Sequence, residues 1–357
     1  MKSVSEYASD DGGSPRKPLN GLRSGGRRRR AAALAIGAAV ALAALTGTAA
    51  VSSAATAPLA TKKFTIAFIP GETGDAFFIS MHQGVYNEAK ALGINLLYEG
   101  SATYSPEAQI PVVDAILAKH PSALLISPTD AQALNRPLAA FKKAGIPVIT
   151  LDSTITDSSE LASRITSDNT QGGAAAADAL AKLAHDKGQV AIISQIPGIS
   201  TTDARAAGFE AELKKYPQMS FLGIQYDNGS ITTATSDAQS LMLAHPHLVG
   251  IFGANDYAAS GAGEAVQSGH KTGRVFVAGY DAEPTEVQYL KSGTISLLVV
   301  QKPKEEGILG VQYAYDLLSH NGKHFPKFNA LANVIATKAN ITSPRVSQWL
   351  YQSQFNS

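Results

Sequence analysis

The chain has 357 residues, 45% of them hydrophobic and 17% charged, enough for two ordinary domains with sizeable cores. It contains no cysteine, which excludes disulfide scaffolds, thiolate metal sites, cysteine nucleophiles and cysteine-linked lipid anchors. The net charge of +1 hides an uneven spread: residues 1–30 carry eight Lys/Arg against three Asp/Glu, while the 300 residues from 58 onward carry 22 basic and 26 acidic groups. A body of that sign is not a general nucleic-acid binder.

Residues 1–57 read as an export signal. Arg27-Arg28-Arg29-Arg30 precedes an uncharged apolar run from Ala31 to Leu45, followed by small residues from Thr46 to Ala57. Basic, apolar, small is the order of a secretory leader. Fifteen apolar residues make a helix of about 22 Å, short of the ~30 Å hydrocarbon core. This favours cleavage near Ala54–Ala57. Extending the run to Val51 would let it span, so an uncleaved tether is the alternative. The consecutive arginines also permit the twin-arginine route, although their neighbours match that signal poorly.

From residue 62 onward, short apolar runs alternate with helical patterns. Strands are predicted over 64–69, 94–98, 123–126 and 147–151, with helices over 77–92, 106–119 and 131–144 between them. The rhythm resumes after residue 167, with a helix over 171–187, a strand over 189–194, a helix over 203–216 and a strand over 219–225. A helix over 231–244, a strand over 248–253, a helix over 256–268, strands over 274–278 and 294–300, and a helix over 304–319 complete it. Repeated βα units imply parallel sheets covered by helices on both faces, and two successive sets imply two doubly wound lobes of an α/β protein. In such sheets ligands sit beyond the carboxyl ends of the strands.

The strand ends carry one kind of chemistry. They present Thr73 to Phe78, Ser127 to Asp130, Asp152-Ser153, Ser167 to Asn169, Pro197 to Arg205, Asn255-Asp256, Gly279-Tyr280-Asp281 and Gln301. Carboxylates, amides and a guanidinium match the paired donors and acceptors of a vicinal diol. Aromatic rings match the apolar C–H face of a sugar.

In these pieces the chain resembles the periplasmic sugar-binding proteins of ATP-binding-cassette importers, in the ribose-binding-protein group. The resemblance spans roughly residues 62–338. It is carried by Asp-Ala-Phe-Phe at 75–78, Ser-Pro-Thr-Asp at 127–130, Ile-Pro-Val-Ile-Thr-Leu-Asp at 146–152 and Ser-Asp-Asn at 167–169. Ala-Arg-x-x-Gly-Phe at 204–209, Asn-Asp at 255–256, Gly-Tyr-Asp at 279–281 and Gln301 complete it. No single piece is diagnostic; their order is. The resemblance implies a type I periplasmic-binding-protein-like fold, two lobes joined by a multi-strand hinge that closes over ligand. One lobe would hold residues 62–167 and 302–330, the other 168–301 and 331–357, with crossings near residues 167, 301 and 325–331. It implies ligand contacts from Asp75, Phe77, Phe78, Ser127, Asp152, Ser153, Arg205, Asn255, Tyr280, Asp281 and Gln301, with no catalytic residue, metal or cofactor.

Three positions depart from the group's ribose members, which usually carry asparagine at 75 and 127 and arginine at 153. Losing an arginine after Asp152 removes a fork of donors and puts ribose itself in question. Leu97 to Gly100, with Tyr104 and Gln109, is similar to relatives that take other sugars or the signalling furanose autoinducer-2. The expected function is therefore capture of a monosaccharide, with autoinducer-2 or an inositol-type polyol as alternatives. A monomer in the periplasm or at the cell surface would hand the ligand to an ATP-binding-cassette permease; a sugar-sensing role is compatible with this.

A regulator of the lac-repressor type needs a helix-turn-helix where the leader stands, and a glycosidase would need Asp152 and Asp281 to act as an acid–base pair. His245 and His247 flank Pro246 in a loop and read as a solvated turn, not a metal site.

Overall fold

The computed structural model describes residues 63–356, so the export signal expected over residues 1–57 lies outside the described residues. Twelve strands form in chain order: β1 (Thr65–Ile69), β2 (Asn95–Tyr98), β3 (Ala123–Ile126), β4 (Val148–Leu151), β5 (Ser163–Ser167), β6 (Lys187–Ser194), β7 (Gln218–Tyr226), β8 (Leu248–Gly253), β9 (Phe276–Tyr280), β10 (Leu297–Val300), β11 (Phe328–Leu331) and β12 (Val334–Ala336). They assemble into two six-stranded sheets, ordered β11-β5-β4-β3-β1-β2 and β12-β10-β9-β8-β6-β7. Every described pairing is parallel except that of β12 with β10. Central strands such as Ala123–Ile126 and Leu297–Val300 are buried at every position. Helices on both faces require that, and it is why these strands read as unbroken apolar runs.

The helices are α1 (Ala76–Ala91), α2 (Pro106–Ala118), α3 (Asn135–Lys143), α4 (Asn169–Leu183), α5 (Ser200–Leu213), α6 (Ile231–Ala244), α7 (Asp256–Ser268), α8 (Pro284–Ser292), α9 (Pro303–Ser319) and α10 (Pro344–Ser347). No helix among the described residues is long and apolar enough to cross a membrane. Polar caps set several of the starts. Asp75 accepts from Phe78 N at 3.2 Å, Asp168 from Gln171 N at 3.1 Å and Asn255 from Ala258 N at 3.1 Å. In α1 the buried Phe77, Met81, Val85 and Ala89 recur every four residues and face the core.

Two strand orders reverse, the first sheet between β1 and β3 and the second between β6 and β8. Each reversal opens a crevice at the carboxyl ends of its strands. The chain passes from one sheet to the other after β5, after β10 and after β11. Five elements were not expected from the sequence: β5, α8, β11, β12 and α10. The β5 segment, Ser-Arg-Ile-Thr-Ser, has one aliphatic residue and so no apolar run to detect. The strands expected over 274–278 and 294–300 begin later, at Phe276 and Leu297.

The C-terminal segment corrects one expectation. Residues 331–357 were expected to stay with the second lobe, but only part of the segment does. Tyr351 N donates to Ala282 O at 3.2 Å beside the second sheet. Gln352 N then donates to Ser80 Oγ of α1 at 2.8 Å, and Gln83 and Asn356 exchange hydrogen bonds of 2.9 and 2.8 Å. The Phe355 ring stacks on His82 at 4.3 Å, and His82 on Tyr98 at 3.6 Å. Upstream of this strap, the Trp349 ring lies under the Lys302 ammonium at 4.9 Å.

Candidate functional site

The carboxyl ends of the two sheets face each other across a narrow cleft, with roughly 50 Å³ of space between its walls. The first sheet's side supplies Glu72, Asp75, Phe77, Phe78, Tyr104 and Asp152. The second supplies Gln195, Ile199, Thr201, Thr202, Arg205, Asn255, Asp256, Tyr257, Asp281 and Gln301. Hydrogen bonds cross between the walls: Tyr257 Oη donates to Glu72 Oε1 at 2.9 Å, Ala76 N to Glu283 Oε1 at 3.0 Å and Thr154 N to Ser200 Oγ at 2.9 Å. The two walls are in contact, and the cleft is closed.

The structure brings eight of the eleven expected residues onto this cleft: Asp75, Phe77, Phe78, Asp152, Arg205, Asn255, Asp281 and Gln301. Three are elsewhere. Ser127 is fully buried with its Oγ 3.8 Å from Met81 Sδ, and Ser153 Oγ donates to Pro128 O at 2.6 Å. Both hydroxyls are committed to the first lobe's own packing. Tyr280 lies beneath the site: the Arg205 guanidinium stacks on its ring at 3.7 Å, and its hydroxyl is 3.4 Å from Asn169 Oδ1. It supports Arg205 without lining the cleft. Ser127 and Asp152 each directly follow a strand, yet only Asp152 lines the cleft, so a place at a strand end does not by itself separate these roles.

Arg205 is only 3% exposed. Nε donates to Asn169 Oδ1 and Nη1 to Ala254 O, both at 2.8 Å, and Nη1 stands 3.9 Å from Asp281 Oδ2. Asp281 Oδ1 accepts from Gln301 Nε2 at 2.6 Å and from Tyr351 Oη at 2.8 Å. Asp281 and Asp152 both occupy the left-handed region, with φ of 97° and 62°. Such strain in non-glycine residues gathers where side chains must be aimed. Asp152 Oδ1 and Gln301 Oε1 are buried with no hydrogen-bond partner among the described residues.

Acids dominate. Glu72, Asp75, Asp152, Asp256 and Asp281 face one arginine. Burial pushes the Asp152 carboxyl up to about 7; Arg205 opposes the shift and Asp281 adds to it. Burial raises Asp75 and Asp256 strongly, reinforced for Asp75 first by Glu283 and for Asp256 first by Asp75. Glu283 is pushed up to about 7, again by burial and then by Asp281. Oxygens of Asp75, Asp256 and Glu283 lie within 4.8 Å of one another. That spacing suits a shared proton or a cation.

The aromatic wall is built from Phe77 and Phe78, rings 5.1 Å apart and perpendicular, with Tyr104 stacked on Phe78 at 6.3 Å. Residues not expected on the cleft are Glu72, Gln195, Ile199, Thr201, Thr202, Asp256 and Tyr257, together with Tyr104, which the sequence marked only as a similarity to other relatives. Asp256 stands in the Asn255-Asp256 piece, and Ile199, Thr201 and Thr202 in the Pro197–Arg205 stretch, but none was named as a ligand contact; Tyr257 could have been found by extending the Asn-Asp motif by one residue. Gln195 directly follows β6, another strand end.

The family model described as "Periplasmic binding protein domain" matches residues 66–323. A ribose import binding protein of Salmonella typhimurium is 32% identical over 266 residues, covering 74% of this chain and 88% of the relative. Among solved structures, an ATP-binding-cassette transporter solute-binding protein from Agrobacterium vitis, bound with α-D-tagatopyranose, is 38% identical with a TM-score of 0.78. It covers 81% of this chain and 100% of its own. A carbohydrate transporter solute-binding protein from Agrobacterium radiobacter, in complex with D-arabinose, is 31% identical with a TM-score of 0.77, covering 81% and 99%.

Proposed function

The chain belongs to the periplasmic binding protein family, and from that membership we propose that its cleft captures a neutral monosaccharide outside the cytoplasmic membrane and delivers it to an ATP-binding-cassette permease. The observation that carries this is the pair of buried acceptors without a partner among the described residues, Asp152 Oδ1 and Gln301 Oε1, on the same cleft as the Phe77–Phe78 wall. Sugar hydroxyls would donate to those oxygens, and the ring's C–H face would lie on the phenylalanines. Arg205, Asn255 and Asp281 would hold the sugar from one lobe, Asp75 and Asp152 from the other. A ligand touching both lobes favours the closed state by its differential affinity for it.

The acid excess limits the ligand. Five carboxyl groups and one arginine offer many hydrogen-bonding oxygens and a single cation, so a sugar carrying a carboxylate or phosphate would lose its hydration with little positive charge to replace it. Isothermal calorimetry and thermal shift with D-tagatose, D-ribose, D-arabinose and the matching uronates test this. A true ligand at a hundredfold excess over Kd adds about 2.7 kcal/mol of stability. Binding of a neutral sugar, its recovery unchanged and no binding of its uronate are expected. Binding of uronates alone, or turnover of the sugar, would overturn the reading.

A further inference from the structure

Asp281 reaches the cleft through a left-handed backbone, φ 97°, so its carboxylate direction depends on what holds it. One of its two neutral donors is Gln301, already on the cleft wall. The other is Tyr351, which lies in the C-terminal strap beyond residue 323, where the family match ends. The Tyr351 side chain is 6% exposed, and its hydroxyl donates to Asp281 Oδ1 at 2.8 Å while accepting from Gln301 N at 3.3 Å. Its ring meets Phe77 edge-on at 5.6 Å. One side chain that does not line the cleft thus touches the side chains of Asp281 and Phe77 and the backbone of Gln301, from both walls. The next residue is tied to α1 through the Gln352 N to Ser80 Oγ bond.

We infer that Tyr351 is a positioning residue for sugar binding: its hydroxyl fixes the Asp281 carboxylate in the orientation the ligand meets, and the C-terminal strap holds it there. The inference rests on the cleft being a sugar site. Without the hydroxyl, Oδ1 keeps only Gln301, and the carboxylate turns toward Arg205, whose Nη1 is 3.9 Å from Oδ2.

Y351F keeps the ring against Phe77 and removes one oxygen. With the tightest-binding sugar among D-tagatose, D-ribose and D-arabinose, calorimetry should give a Kd about tenfold weaker than wild type. The ligand-free melting temperature should fall by no more than about 6 °C. Because Tyr351 acts through Asp281, the Y351F/D281N double variant should bind no more weakly than D281N alone; a structural contribution would add to it. A Y351F affinity within about twofold of wild type, additive losses in the double variant, or failure of Y351F to fold would each overturn the inference. Wild-type protein that binds no sugar in the panel would overturn the sugar reading and this inference together; the other outcomes leave that reading standing.

Discussion

Asp152 combines three features that are unfavourable in a resting protein: a left-handed backbone, a buried carboxyl and an oxygen with no partner among the described residues. Its carboxyl is raised to about 7 by burial, so the folded protein holds this proton more tightly than the unfolded chain does. The associated stability is fully present below the ordinary carboxylate range and is lost as pH rises through about 7. Asparagine tolerates the same backbone and does not titrate. The ligand-free D152N variant should therefore gain melting temperature relative to wild type between pH 4 and pH 7, levelling off above, as read by calorimetric scans across pH. The same variant should lose about tenfold or more in sugar affinity, because the amide replaces one of the two carboxyl oxygens facing the ligand with an NH2 group. A pH-independent difference between the two proteins would refute the first expectation. Asp152 was legible as a cleft residue because it directly follows a strand. Tyr351 was not: nothing in a sequence announces that a tail residue folds back onto a strand end seventy positions earlier.

At the scale of elements, α4 and α5 cross so closely that a Cβ on Gly173 would stand 1.9 Å from Arg205 O, and one on Gly208 2.0 Å from Thr170 O. Hydrogen in place of a methyl group lets α5 lie against α4 and presents Arg205 to the cleft. G173A must push the helices apart, an overpacking that typically costs about 1–3 kcal/mol. Its sugar affinity should fall with its stability, because the displaced helix carries the arginine; denaturant melts and calorimetry on one preparation check both, and unchanged affinity would separate the crossing from the site. Helices α4 and α5 themselves were legible as helical patterns alternating with apolar runs, whereas α8 and α10 were not. The strands β5, β11 and β12 were not. Phe328–Leu331 and Ser163–Ser167 pair with each other at one side of the first sheet, and their pairing depends on a partner far away in sequence more than on any local apolar run.

For the whole molecule, closure is held by few bonds between the walls, among them Tyr257 Oη to Glu72 Oε1 at 2.9 Å. Removing that hydroxyl should shift the lobes toward the open state without touching the groups we assign to the sugar. Y257F is expected to weaken binding about fivefold, with small-angle scattering of the sugar-free protein showing a larger radius of gyration than wild type. Unchanged affinity and radius would show that this bond contributes nothing to closure. The two-lobed architecture could be read from alternating strands and helices. The closeness of its halves could not, since it depends on contacts such as this one, made between residues 185 positions apart.

The sequence contains a single tryptophan, Trp349, and it lies at the start of the strap with its indole beneath the Lys302 ammonium. Lys302 immediately follows Gln301 on a segment where the chain passes between sheets, and Tyr351 is two residues along the strap. The indole's emission therefore arises from one place, where the crossing segment and the tail meet, so a change in its colour or intensity on adding ligand reports a change in the surroundings of that junction. The native chain carries its own optical gauge, with no dye or engineered label to attach.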